Sequence, residues 1–156
     1  MRHGCRISKD GKHCKIMPIK TETPKIVFIC LGNSCRSIMA EALARHIFGE
    51  ALVAASAGIN PLGVVARETL QVLAEIGVSA AGLRSKGLGE VDFQGCRLIV
   101  NLTDYSLGTL IPASGEGMVI NRAVIDPYGG SLELYRRARD DIRRFLVEEL
   151  LPKISP

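Results

Sequence analysis

IVFICLGNSCRSIMAEALARHI, residues 26–47, is the stretch from which the fold can be read. It opens with an unbroken apolar, β-branched run, the pattern of a strand buried on both faces. It runs into IMAEALARHIFG (38–49), which has helical spacing. There Met39, Leu43 and Ile47 share a face, Glu41 and Arg45 form a favourably ordered i, i+4 pair, and Gly49 suits the position just past a helix end. Between strand and helix lie two cysteines, a glycine, an asparagine and an arginine, more chemistry than a turn requires.

Outward from this stretch the two patterns alternate. ALVAASAG (51–58) and RLIVNLT (97–103) read as strands, and MVINRAV (118–124) as a weaker one. VVARETLQVLAEIG (64–77) predicts a helix with Val65, Leu70, Leu73 and Ile76 as its apolar positions and Gly77 at its end. SLELYRRARDDIRRFLVEELL (131–151) predicts a long amphipathic helix capped by Ser131. Such alternation means an α/β fold, a parallel sheet with helices on both faces. Ligands then bind beyond the carboxyl ends of the strands, where CLGNSCRS sits. Neither GxGxxG nor GxxxxGK[ST] occurs, which excludes the common dinucleotide and Walker-type loops.

The 156 residues suit one domain, and 47% hydrophobic with 23% charged residues is ordinary for a soluble protein. The net charge of +4 is misleading: residues 1–25 carry seven Lys and Arg against two Asp and Glu, so the remainder is slightly acidic. This argues against a nucleic-acid partner for the domain. No apolar run approaches the length of a membrane span and the N-terminus has no secretory h-region, so the expected location is the cytoplasm, with no membrane partner. Cys5, Cys14, Cys30, Cys35 and Cys96 are odd in number and irregular in spacing, which favours separate thiol roles over a disulfide framework. Residues 1–24 are expected to be a basic, flexible extension ahead of a domain over 25–156. His3, Cys5, His13 and Cys14 fit no usual zinc spacing.

The loop motif is C-x5-R-S: Cys30, Leu31, Gly32, Asn33, Ser34, Cys35, Arg36, Ser37. A strand-to-helix loop of this length can curl so that successive N–H groups face inward, an anion nest closed by a helix N-terminus. Gly32 and Asn33 tolerate the left-handed backbone that such a curl demands. Arg36 can grip two oxygens of a tetrahedral anion. The same N–H dipoles and Arg36 favour the thiolate form of Cys30 at the floor of the nest, and Ser37 can donate to its sulfur. This describes a nucleophile beneath a bound phosphate.

The chain at this point resembles the low-molecular-weight protein phosphatase family, in its bacterial branch, which also holds arginine phosphatases and thioredoxin-coupled arsenate reductases. The resemblance spans about residues 25–151 and rests on VFICLGNSCRSIMAEAL, SAG (56–58), LRSKGL (83–88) and DPYGGSLELYRRARDDI. It implies a three-layer, doubly wound parallel sheet of about four strands in flavodoxin-like order. It implies Cys30 and Arg36 as catalytic, Asp126 as general acid, and Asn33 and Ser56 as shaping the loop. Beside that stands a chemical argument: an ester oxygen leaves poorly unless a carboxylic acid protonates it, and Asp126 lies on a loop held by Pro127 and freed by Gly129 and Gly130. The activity so implied is hydrolysis of protein phosphotyrosine, or of small aryl phosphates, through a phosphocysteine. It needs no metal or cofactor, and its partners are a phosphorylated protein and inorganic phosphate or a similar oxyanion. In the family the second loop cysteine, here Cys35, can form a reversible disulfide with the nucleophile.

Substrate choice is less sharply written. Members that clamp a phosphotyrosine ring read DPYY or DPWY and carry another aromatic after SAG; here Tyr128 stands alone, and Ile59, Asn60, Pro61 and Leu62 follow SAG. Ser34 replaces the isoleucine of eukaryotic members, which keeps phosphoarginine open as a substrate. Arsenate reduction requires further cysteines after the third strand, and residues 101–117 contain none. NLTDYSL (101–107) departs from the family pattern at the cleft rim. Arg136, Arg137, Arg139, Arg143 and Arg144, interleaved with acids, predict a solvated face with local ion pairs.

Overall fold

β1 (Lys25–Cys30) lies inside the sheet, and Ile26, Val27, Phe28 and Ile29 are wholly inaccessible. A computed structural model describes residues 22–111 and 117–154. β2 (Val53–Gly58) flanks β1 on one side and β3 (Cys96–Asn101) on the other, with β4 (Met118–Asn121) beyond β3. All pairs are parallel and the order is β2-β1-β3-β4. This α/β sheet, with its chain reversal between β1 and β3, opens a crevice above the carboxyl ends of those strands.

The two faces are covered unequally. Ile26, Phe28, Leu98 and Val100 point to one face and pack against α1 (Arg36–Phe48), α2 (Arg67–Ala74) and α3 (Leu132–Phe145). Val27, Ile29 and Ile99 point to the other, where Phe93 and Leu107 cover them from segments with one-turn helices at Leu88–Glu90 and Gly108–Leu110. The core therefore sits mainly under α1, which is buried all round from Arg36 to Ala44. Gly49 ends that helix at φ 53, a conformation without strain only for glycine.

Two helices differ from the sequence expectation. α2 begins at Arg67, and its buried residues are Thr69, Val72 and Leu73, while Leu70 and Ile76 are exposed. The cause is the loop after β1: its Ser34 carbonyl takes both the Ala66 N–H (3.1 Å) and the Thr69 hydroxyl (2.9 Å), which turns Thr69 inward. The final helix is not continuous. After α3 the chain widens into a π-helical turn at Leu146–Leu150, where the Leu151 N–H bonds the Leu146 carbonyl, before α4 (Leu151–Ile154). Pro152 lacks an N–H and its ring crowds the carbonyl four residues back, so a wider turn relieves the clash.

The arginine-rich face of α3 is also more than a solvated surface. Arg136 forks onto Glu75 at the end of α2 (2.8–3.2 Å), and the buried Arg139 bonds both Glu75 (3.0 Å) and the Val72 carbonyl (2.9 Å). These contacts staple α2 to α3, whereas Arg144 makes a local pair with Asp141. Among the described residues no helix is long and apolar enough to cross a membrane. His3, Cys5, His13 and Cys14 and nearly all of the 1–24 extension lie outside the described residues.

The Arg136 hydrogen bonds hold the Glu75 carboxyl below its ordinary range, with Arg139 adding to the effect. A lowered folded-state pKa gives stability that is present above the unfolded pKa and lost as pH falls through the folded one. Glu75→Gln is therefore expected to lower the urea midpoint at pH 7, and the gap to wild type should close as acid protonates the wild-type carboxyl. A gap that stays constant from pH 7 to pH 3 would contradict the staple.

Candidate active site

Residues 31–35 carry the chain from β1 into α1, and hydrogen bonds fix which way each peptide points. The carbonyls of Cys30, Leu31 and Gly32 accept the N–H groups of Ile59 (3.0 Å), Asn60 (2.8 Å) and Leu62 (2.9 Å). The Ser85 hydroxyl adds a second bond to Gly32 (3.2 Å), and Ala66 and Thr69 hold Ser34. With these carbonyls turned outward, the N–H groups of residues 31–35 have no acceptor among the described residues. α1 starts without a side-chain cap or an acidic first turn, unlike α3, where Ser131 accepts the Leu134 N–H. Its terminal donors are thus left for a ligand.

Gly58, the glycine of SAG, lets the loop lie this close to β2. A Cβ there would stand 2.8 Å from both the Asn33 nitrogen and the Leu31 oxygen. Gly32 has a different role from the one its sequence position suggests. Only Asn33, at φ 45, is left-handed in the loop, whereas a Cβ at Gly32 would lie 3.0 Å from the Leu62 side chain, which would have to give way. The strain at Asn33, roughly 1–2 kcal/mol, is offset by its side chain, which makes three hydrogen bonds worth about 1 kcal/mol each.

Those three bonds also tie together the groups that surround Cys30. The Lys86 N–H donates to Asn33 Oδ1 (2.8 Å), which fixes the amide. Asn33 Nδ2 then donates to Ser37 Oγ (2.7 Å) and to Ser56 Oγ (3.0 Å). Ser37 Oγ also lies 2.9 Å from Cys30 Sγ, a hydrogen bond in which either atom can donate. Ser56 passes its proton to Glu41, a buried carboxylate also paired with Arg45 and with Lys86 Nζ (3.5 Å).

Arg36 opens α1, where a cation is disfavoured by about 0.3–1 kcal/mol. It stays because its buried guanidinium is bound on the far side: Nη1 donates to the Leu102 (3.2 Å) and Val124 (3.1 Å) carbonyls, and Nη2 pairs with Asp126 (3.3 Å). Asp126 Oδ1 accepts the Tyr128 N–H (3.1 Å), so the acid is pinned to its own turn. Gly129 closes that turn at φ 76, and the Gly130 N–H bonds the Pro127 carbonyl. Cys30, Arg36 and Asp126 line one cleft of about 200 Å³, walled by Leu62 and the exposed Tyr128.

The remaining loop cysteine has a different character. Burial pushes the Cys35 thiol above its ordinary range, with its hydrogen bonds to Tyr135 and Thr69 offsetting part of the shift. Its sulfur lies 3.7 Å from Tyr135 Oη, and burial, reinforced by that contact, likewise raises the tyrosine. Cys35 is therefore held as a thiol, and Cys30, Cys35 and Cys96 are all free.

The structure brings together Cys30, Leu31, Gly32, Ser34, Cys35, Arg36, Asp126 and Tyr128 around the cleft, with Asn33, Ser37 and Ser56 behind it. Sequence reasoning missed Glu41 and Lys86. The sequence pairs Glu41 with Arg45, which the structure keeps, and the signal that Glu41 is buried was its setting among Ala40, Ala42 and Ala44 in a helix one turn beyond Ser37.

The chain is also similar to known proteins. The model of the family described as low molecular weight phosphotyrosine protein phosphatase matches residues 25–155. A protein-arginine-phosphatase of Bacillus subtilis is 30% identical, covering 83% of this chain and 93% of that one. A glutaredoxin arsenate reductase of Synechocystis is 28% identical, covering 84% and 98%. The crystal structure of a low molecular weight protein tyrosine phosphatase from T. tengcongensis superposes with a TM-score of 0.71 at 28% identity, covering 83% and 99%.

Gly58→Ala is expected to push the loop off β2 and weaken inorganic vanadate binding at least tenfold by calorimetry. Gly89→Ala, where an added Cβ meets nothing within 4 Å, should leave it unchanged. Equal affinities in the two variants would mean that the Gly58 contact does not shape the nest.

Proposed function

The chain belongs to the low molecular weight phosphotyrosine protein phosphatase family, and from that premise we propose that it hydrolyses protein phosphotyrosine through a phosphocysteine intermediate. The observation that carries the reading is the position of Cys30 Sγ, hydrogen-bonded to Ser37 Oγ (2.9 Å), beneath a ring of unclaimed N–H groups. In the first step the Cys30 thiolate attacks phosphorus, a sulfur–phosphorus bond forms and the ester bond breaks, and Asp126 gives its proton to the leaving oxygen. In the second step Asp126 takes a proton from water, the water oxygen bonds phosphorus, and Cys30 leaves as the thiolate that Ser37 stabilises. The loop amides and Arg36 hold the three equatorial oxygens throughout. Leu31, Gly32, Asn33, Ser34 and Cys35 shape that cradle, and Ser56 supports it through Asn33. A thiolate nucleophile with a second thiol in its loop favours a reducing compartment, the cytoplasm.

Tyr128 and Leu62 supply one aromatic and one aliphatic wall for a substrate ring. One observation favours a second reading, protein arginine phosphatase. Ser34 lines the same cleft, and its buried Oγ is the single buried side-chain nitrogen or oxygen without a partner among the described residues. An unsatisfied hydroxyl costs about 1–3 kcal/mol, and a guanidinium N–H or a water aligned on phosphorus would satisfy it. Arsenate reduction has weaker support. Cys96 pairs with Lys25 at the opposite end of the sheet, about 16 Å along the strand from Cys30 at roughly 3.3 Å per residue.

Cys30→Ser is expected to abolish release of phosphate from para-nitrophenyl phosphate in excess chelator, and retained turnover would sink the scheme. Asp126→Ala should lower kcat on phenyl phosphate by about 10²–10³-fold, less on substrates with better leaving groups, and should tighten inorganic phosphate binding by freeing Arg36. A uniform loss across leaving groups would remove Asp126 as the acid. Ser34→Ile should cut the ratio of phosphoarginine to phosphotyrosine turnover if the second reading holds; an unchanged ratio would discard it.

A further inference from the structure

A second cleft, of about 340 Å³, opens beside the first and shares Leu31, Arg36 and Asp126 with it. To these it adds Asp104, Tyr105 and Ile125, all three exposed to solvent. Its charged groups are not equivalent. Arg36 is taken up by two carbonyls and Asp126, and Asp126 by Arg36 and its own turn. Asp104 alone has no ion-pair partner among the described residues, at the tip of a turn that is rigidly built. Asn101 Nδ2 donates to the Tyr105 carbonyl (2.7 Å), Asn101 Oδ1 accepts from the Thr103 N–H (3.0 Å), and the Tyr105 N–H donates to Thr103 Oγ1 (3.1 Å).

We infer that this cleft is a subsite for a lysine or arginine next to the phosphorylated residue of the substrate protein. The inference rests on the phosphatase reading and names a feature of its substrates. The shared wall of Leu31, Arg36 and Asp126 places the two openings side by side, so a polypeptide whose phosphorylated side chain enters one must lay a neighbouring residue, one Cα step of 3.8 Å away, at the other. The apolar surfaces of Leu31, Tyr105 and Ile125 match the aliphatic stem of a long cationic side chain, and the unpaired Asp104 carboxylate meets its charged head.

The test uses peptides identical except for Lys, Ala or Glu on either side of the phosphorylated residue, in phosphotyrosyl and phosphoarginyl versions, with para-nitrophenyl phosphate as a control that cannot reach the subsite. Wild type should favour Lys over Glu by about tenfold in kcat/KM at one of the two positions, the scale of an exposed ion pair gained against a like-charge contact. The preference should shrink as salt is raised. Asp104→Asn should reduce it below about twofold without changing para-nitrophenyl phosphate turnover, and Asp104→Lys should reverse it. Equal rates for Lys and Glu peptides in wild type, or a preference that survives in Asp104→Asn, overturns the subsite. Should para-nitrophenyl phosphate not be hydrolysed at all, the phosphatase reading fails separately. Affinities of the same peptides for Cys30→Ser protein then decide the subsite, and binding that ignores the flanking charge, or no binding, overturns it.

Discussion

The site depends on one constraint: four carbonyls of the cysteine loop point away from the space proposed for an anion, and each needs a donor where it lands. The donors come from the segment that follows β2, residues 59–69, with Ser85 adding one more. A buried carbonyl without a donor costs about 1–3 kcal/mol, so together these bonds outweigh the strain at Asn33 and the unfavourable placement of Arg36 at a helix start. Once the carbonyls are held outward the amides face in, and the anion nest follows from the geometry of the peptide bond.

The same constraint reaches the core. Because Ser34 claims Ala66 and Thr69, α2 starts late and rotated, and its packing on α3 falls to Val72, Leu73 and the Glu75–Arg136–Arg139 contacts. A helix whose face is set by the loop it supports transmits changes between the two. Tyr135 does something similar from α3, meeting the thiol of Cys35 inside the core.

Much of this was legible in the sequence, for reasons that can be traced to particular residues. The apolar run 26–29 and the C-x5-R-S spacing marked out strand, loop and helix. What could not be read was anything decided by a distant partner. Periodicity alone put Leu70 and Ile76 in the core, since nothing local reveals that a loop thirty residues earlier rotates α2. For Glu41 only the Arg45 pair could be read, because its other partners, Ser56 and Lys86, arrive from other elements. Gly32 looked like a left-handed residue, and its actual constraint is a leucine thirty positions away. Pro152 was visible, but the wide turn it induces requires knowing that Leu146 and Leu150 must both stay buried.

The outward carbonyls have a consequence for how such a site can move between proteins. CLGNSCRS holds Cys30, the proposed nucleophile, and Arg36, yet none of the donors that orient its peptides. Cut out as a peptide, or grafted between a strand and a helix of another sheet, it would carry the reactive groups without the cradle. The transferable unit is the loop with the strand end at Gly58, the 59–69 segment and the Ser85–Lys86 stretch, roughly sixty residues of chain that have to be inherited together.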